Sequence, residues 1–220
     1  MAAEILSPLQ KKFISLFAAN KMMQPRFYLT GGTALAAYYL HHRLSEDLDF
    51  FSSTEVELLG VDTFLSGIKR ALSLKKIDFQ QSFNRNLFFL HGPKEVLKAE
   101  FTFFPFEQIE KPAVQDGLLI DGLIDIAVNK TFAIFQNPRA RDFIDLYLIL
   151  QQDKKLSIRQ LIRMARSKFN SQIDPLQMGT QMVKAKTIQD LPVMLKKIGR
   201  RPWRSFFVQQ AQTLSGEIFK

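Results

Sequence analysis

A Gly31-Gly32 pair followed about fifteen residues later by Asp47-Leu-Asp49 narrows the possible folds more than any other feature of the chain. Phe27-Tyr-Leu-Thr30 reads as a short strand entering the glycine turn, and Thr33-Ala-Leu-Ala-Ala-Tyr-Tyr-Leu40 as the helix leaving it. Arg43-Leu-Ser45 closes that helix, and Asp47-Leu-Asp-Phe-Phe51 then alternates polar with apolar residues like a half-buried strand. On such a strand both carboxylates leave one face with α-carbons about 6.5–7 Å apart, so they can grip the same ion. Two acids aimed at one spot repel unless a cation or proton intervenes, which suits hard, oxygen-seeking Mg²⁺. Each half alone is commonplace: surface strands carry Asp-x-Asp, and Gly-Gly is usually a plain turn. Together they describe a site for a nucleoside triphosphate carrying Mg²⁺, because a helix N-terminus attracts phosphate and glycine lets the backbone come close.

Around this core the pattern predicts a first helix from Ser7-Pro8 to about Lys21, with Phe13, Leu16 and Phe17 at helical spacing. Another helix is expected at about 60–74 and three strands with meander spacing near 76–83, 86–91 and 97–104. After Pro105 and Pro112 the chain turns helical. A short strand is expected near 118–120, with helices near 122–136, 139–151, 157–169, 174–184, 192–199 and 203–218. The expected fold is α+β: a lobe with a mixed sheet over residues 1–116, then an all-helical lobe over 117–220. Phenylalanine is abundant, 21 residues, mostly in short apolar runs such as Asn86-Leu-Phe-Phe-Leu90 that read as core.

Charge is divided along the chain. Residues 1–150 carry a net −1 and residues 151–220 a net +10, which predicts either a polyanion-binding surface or simply basic, solvated helix faces. Cysteine is absent, excluding a disulfide framework, a thiolate metal site or a cysteine nucleophile, and fitting the reducing cytoplasm. No signal sequence or apolar run near the roughly 20 residues of a membrane span is visible, so a soluble, unprocessed, cytoplasmic protein is expected.

Gly31-Gly-Thr-Ala-Leu-Ala36, followed by Arg43-Leu-Ser-Glu-Asp-Leu-Asp-Phe-Phe51, resembles the signature of the AbiEii/AbiGii nucleotidyltransferase toxins, within the DNA polymerase β-like superfamily. The resemblance continues in Lys130-Thr-Phe-Ala133 and Arg139-Ala-Arg-Asp-Phe-Ile-Asp-Leu-Tyr147, where Arg141 stands in place of the family's usual lysine. It leaves residues 151–220 without a motif.

The resemblance implies a polymerase β-like lobe, Mg²⁺ on Asp47 and Asp49, and a third carboxylate for which Glu100 is the candidate. Glu100 shares a strand face with Lys98 and Thr102, so pairing with Lys98 or another base is the competing reading. Gly31, Gly32 and Thr33 would cradle phosphate, Ser45 would add a hydroxyl, and Arg43 would neutralise phosphate or pair with an acid. The family pattern gives Lys130 the triphosphate or base, and gives Asp142 or Asp145 the acceptor. The plainer account of those residues is two intrahelical ion pairs, Arg139 with Asp142 and Arg141 with Asp145. His41 and His42, adjacent on a helix, make a poor metal pair and read as surface or capping residues.

The implied reaction moves NMP from an NTP to an acceptor hydroxyl with one or two Mg²⁺ ions. The acceptor would be an RNA such as the 3′ end of tRNA, bound by the basic C-terminal helices, in a toxin–antitoxin or phage-abortive system with an antitoxin partner. Trp203 would stack on a base or anchor the last helix. A small-molecule or protein nucleotidyltransferase and a silent nucleotide-binding module stay open.

Overall fold

Ser7 opens the first helix, α1 (Pro8–Ala18), with reciprocal capping: its hydroxyl accepts from the Gln10 amide, and the Gln10 side chain accepts from the Ser7 amide. The helix stops short of Lys21 because the Asn20 carboxamide accepts from the amides of Met22 and Met23, offering the backbone a turn in place of another helical bond. This computed structural model describes residues 5–218. Residues 1–4, where the sequence was read for a signal, and 219–220 lie outside the described residues.

The chain divides into two compact units, Met1–Gly122 and Leu123–Lys220. The first holds β1 (Tyr28–Thr30), then α2 (Gly31–Ala34), which continues as a π-helical segment (Leu35–Leu40). After it come β2 (Asp47–Ser52), α3 (Leu58–Ile68), β3 (Lys76–Ser82), β4 (Arg85–His91) and β5 (Val96–Phe103). A hairpin of β6 (Ala113–Gln115) and β7 (Leu118–Ile120) closes the unit. The sheet runs β3-β4-β5-β2-β1-β7-β6, with parallel pairs β2–β5 and β1–β7 and the other pairs antiparallel. Because β7 belongs to this sheet, the division falls after Gly122, where the sequence suggested residue 116. Strand β6 was not anticipated, although Asp116-Gly117, both at positive φ, form the tight turn that joins it to β7.

Burial alternates along β2. Leu48, Phe50 and Ser52 are buried, while Asp47, Asp49 and Phe51 on the other face are half-buried. The buried face explains many of the phenylalanines. Phe17 stacks on Phe50 at 4.3 Å, Phe50 on Phe101 at 5.4 Å, and Phe64 meets Phe17 edge-on at 5.4 Å. This aromatic layer between α1, α3 and the sheet fixes which side of β2 faces outward.

The second unit consists of α4 (Leu123–Gln136), α5 (Ala140–Gln152), α6 (Ile158–Phe169), α7 (Pro175–Val183) and α8 (Arg200–Ile218), with a 3-10 turn at Lys184–Lys186. The expected helix at 192–199 does not form. Asp190, just before this segment, accepts from the Ala140 amide at the start of α5. Trp203 is the anchor of α8: it is buried, stacked on Phe143, with Phe207 packed on the same ring. No helix among the described residues is long and apolar enough to cross a membrane.

Phe17→Ala should cost about 3–5 kcal/mol of stability, as for other buried rings, read as a lowered urea midpoint; a midpoint within error of the parent would contradict a core centred on this ring.

Candidate active site

Asp47 and Asp49 project from the outward face of β2, and the parallel register sets Lys98 beside Asp47 and Glu100 beside Asp49. Antiparallel β4 then brings Arg85 opposite Thr102. The side chains follow these backbone positions. Lys98 Nζ lies 2.8 Å from Asp47 Oδ2 and 3.9 Å from Glu100 Oε2. Arg85 grips Glu100 with both arms of its fork, Nε to Oε1 at 2.7 Å and Nη2 to Oε2 at 2.6 Å, and the Thr102 hydroxyl donates to Oε1 at 2.7 Å.

Burial opposes ionisation of Glu100, but the hydrogen bonds from Arg85 and Thr102 and the charges of Arg85 and Lys98 outweigh it, holding its carboxyl below the usual range. Glu100 is only 3% exposed. In this structure Glu100 is paired with a base, and the base is Arg85.

Strand β1 ends at Thr30, paired with Asp49. The next residue, Gly31, takes φ +71°, and a Cβ there would collide with Asp49 Oδ2. A Cβ on Gly32 would meet Arg43 Nη2 at 2.5 Å and Ser45 Oγ at 2.9 Å. Gly31 is favoured by its positive φ, and a Cβ at either glycine would press on a side chain of the motif that follows it. The turn opens α2, whose continuation as a π-helix ends with His41 in the left-handed region at φ +50°. His41 therefore caps, as expected, whereas His42 is fully buried and not a surface residue.

The Thr33 hydroxyl is engaged within the protein. Thr33 is fully buried, and its hydroxyl donates to the Asp47 carbonyl, tying the glycine turn to the acidic strand. Arg43 is buried against Gly32, with Nη1 donating to the Leu44 carbonyl at 2.8 Å.

Two supports were missed in the sequence. Gln10, already part of the α1 cap, donates to the carbonyls of Ser45 and Glu46 and so holds the loop that leads into β2. Its signal was the Ser7-x-x-Gln10 spacing of a capping box. Asp121 is buried and accepts from the Thr30 hydroxyl at 2.6 Å and from Gln108, while its carbonyl accepts from Tyr39. It clamps both ends of the glycine-turn helix to β7, and nothing in the local sequence marks it.

Lys130, Asp142 and Asp145 form a separate cluster inside the second unit. Lys130 Nζ lies 2.7 Å from Asp142 Oδ1 and 2.9 Å from Asp145 Oδ2, with Arg139 Nε 3.4 Å from Asp142. Asp145 therefore joins the lysine of the neighbouring helix, a pairing that helical spacing did not offer. All three are buried.

Among the described residues, no three His, Cys, Asp or Glu side chains are arranged to hold a metal. The sequence-predicted pair, Asp47 and Asp49, lies half-buried on one face of β2, with Asp47 ion-paired to Lys98.

Residues 15–215 match the family described as "Nucleotidyl transferase AbiEii toxin, Type IV TA system". The chain belongs to the AbiEii family. This AbiEii protein is accordingly a nucleotidyltransferase by family membership. It is 32% identical over 167 residues to an uncharacterized protein of Aquifex aeolicus (strain VF5), spanning 73% of this chain and 72% of that one. Its fold is similar to a crystal structure from H. pylori described provisionally as a nucleotidyltransferase, at TM-score 0.61 and 19% identity over 96% of this chain and 97% of the other. A second Helicobacter pylori structure is similar at TM-score 0.59, with 19% identity and coverage of 95% and 90%. These structural likenesses bear out the polymerase β-like α+β fold.

Gly31→Ala should reduce nucleotidyl transfer by about a hundredfold or more, since the added methyl pushes on the Asp49 carboxylate and displacements of about 1 Å have that scale of effect; turnover within threefold of the parent would contradict the close packing. Glu100→Gln should lower the melting temperature at neutral pH. The depressed folded pKa of Glu100 contributes stability above the ordinary value of about 4.3 and loses it as pH falls through the folded value, so the gap should close below about pH 4. A gap that stayed constant from pH 7 to 3 would argue against an ionised Glu100.

Proposed function

We propose that this AbiEii-family enzyme transfers a nucleoside monophosphate from a triphosphate to a hydroxyl of an RNA, with the 3′ end of tRNA as the first candidate. The observation that carries the reading is the packing of Gly31 directly against Asp49, which joins a phosphate-attracting backbone turn to a pair of outward carboxylates. Mg²⁺ held by Asp47 and Asp49 would lower the pKa of the attacking hydroxyl and offset charge on the phosphorus being attacked.

The chain's own groups do the positioning. The turn at Gly31 and Gly32 presents amides to the phosphates, and buried Arg43 beneath Gly32 adds fixed positive charge to that cup. Ser45, against Gly32, is placed to donate a hydroxyl. Arg85 keeps Glu100 neutralised, so this acid does not repel the triphosphate. On the family pattern Lys130 would serve the triphosphate or base and Asp142, or Asp145, the acceptor; both acids already share that lysine.

The acceptor assignment draws support from the basic surplus of residues 151–220. Part of it is structural. Lys168 is paired 2.5 Å from buried Asp125, Arg166 donates to the Ile173 carbonyl, Arg159 to that of Thr213 and Arg204 to that of Ile188. What remains exposed includes Lys184, Lys186, Lys197, Arg200 and Arg201, between α7 and the start of α8. That region is the proposed polyanion surface. As a toxin of this family the protein would act in the cytoplasm and have an antitoxin as its partner.

The deciding experiment incubates the purified chain with Mg²⁺ and each α-labelled triphosphate, adding total tRNA, a protein mixture or nothing. Label on tRNA is expected; label confined to protein or to a small molecule would reassign the acceptor, and none anywhere would make the chain a silent nucleotide-binding module. Asp49→Asn should abolish labelling with the circular dichroism unchanged, and retained turnover would remove Asp49 from the reaction. Reversing charge at Arg200 and Arg201 should weaken RNA binding more at low salt than at high salt; a salt-independent effect would return this surface to plain solvation.

A further inference from the structure

The outward face of β2 and β5 carries two cations held in different ways. Arg85 is locked, its planar fork matched to both oxygens of Glu100. Lys98 is held at a single point, Nζ on Asp47 Oδ2 at 2.8 Å, at the end of a flexible four-carbon stem that is itself 24% exposed. Its second neighbour, Glu100 Oε2, lies 3.9 Å away and is already hydrogen-bonded by Arg85. Lys98 therefore has one strong anion to satisfy it, and that anion is Asp47, one of the two carboxylates proposed to hold Mg²⁺.

We propose that Lys98 competes with the divalent cation for Asp47, so that the metal binds weakly on its own and tightly only together with an anionic nucleotide that accepts the displaced ammonium. The proposal rests on the reading of Asp47 and Asp49 as the metal-holding pair. The physical argument is one of charge. Adding a divalent ion beside an ammonium that shares its carboxylate costs the ion pair and sets like charges side by side. A triphosphate reverses both terms, since its oxygens neutralise the metal and offer the ammonium a new acceptor. The two ligands then favour each other through Lys98, and that coupling is reciprocal. Glu100, pre-neutralised by Arg85, stays out of the exchange. Lys98 is thus a positioning residue that sets the order of assembly.

The test is binding of Mn²⁺ to the full chain, read by electron paramagnetic resonance of the free ion, with and without a non-hydrolysable triphosphate analogue. Without nucleotide, Lys98→Met should bind Mn²⁺ about tenfold more tightly than the parent, the scale of effect a close charge has on a neighbouring site. With the analogue present the difference should shrink to less than about threefold, because the parent gains more from the nucleotide. Lys98→Arg, which keeps the charge, should retain weak metal binding, and Lys98→Gln should match Lys98→Met and serves if the latter fails to fold.

Metal affinity unchanged or weakened in a folded Lys98→Met or Lys98→Gln chain overturns the proposal, as does equal tightening in Lys98→Arg. Asp47→Asn separates this failure from that of the underlying reading. If Asp47→Asn leaves Mn²⁺ binding intact, the metal assignment itself is wrong; if it abolishes binding while the Lys98 variants behave like the parent, only the role of Lys98 falls.

Discussion

Stacking of Phe50 on Phe101 and Phe17 sets the register on which the candidate site depends. A strand presents alternate residues to opposite faces, so burying Phe50 and Leu48 under α1 turns Asp47 and Asp49 outward together. A slip of one residue would bury both acids and expose Leu48 and Phe50. The same pairing matches Asp47 with Lys98 and Asp49 with Glu100, which converts a run of acids on one strand into a compensated patch across three. The hydrophobic layer on one side of the sheet thus dictates the electrostatics on the other.

Within that patch the two basic residues do different work for a structural reason. Arginine's rigid fork fits a carboxylate in two places, so Arg85 and Glu100 form a unit joined at two points. Lysine's single ammonium can exchange partners. The fixed cation thus sits on the buried acid, Glu100, and the movable one on the half-buried acid, Asp47.

The glycine turn shows the same economy. A Cβ on Gly31 or Gly32 would press on a side chain of the downstream motif: Asp49 for the first, Arg43 and Ser45 for the second. Thr33 then ties that turn to the acidic strand, and Gln10 ties the loop before β2 to α1. Motif residues far apart in sequence are in van der Waals contact, which explains why they occur as a set. In the second unit, bonds from Arg159, Arg166, Arg204 and Lys168 to other helices and loops consume part of a positive charge that composition alone would assign to a ligand.

Taken alone, the residues Gly31-Gly32, Asp47-x-Asp49 and the alternation of β2 already determine a strand, turn, helix and strand with two carboxylates on one face, because period-two geometry and the conformational freedom of glycine are local properties. The α+β class and all five α-helices described in the second unit were legible for the same reason, although one further helix, expected at 192–199, does not form. The Asp116-Gly117 turn was a readable signal for β6 that went unused. Only the tertiary structure decided that Arg85 claims Glu100, that Lys98 claims Asp47, that Asp121 clamps Thr30 and Tyr39, and that Asp190 accepts from the Ala140 amide at the start of α5. Each of these choices pairs residues brought together by strand order or helix packing, and the strength of an ionic or hydrogen-bonded contact depends on distances that sequence separation does not encode.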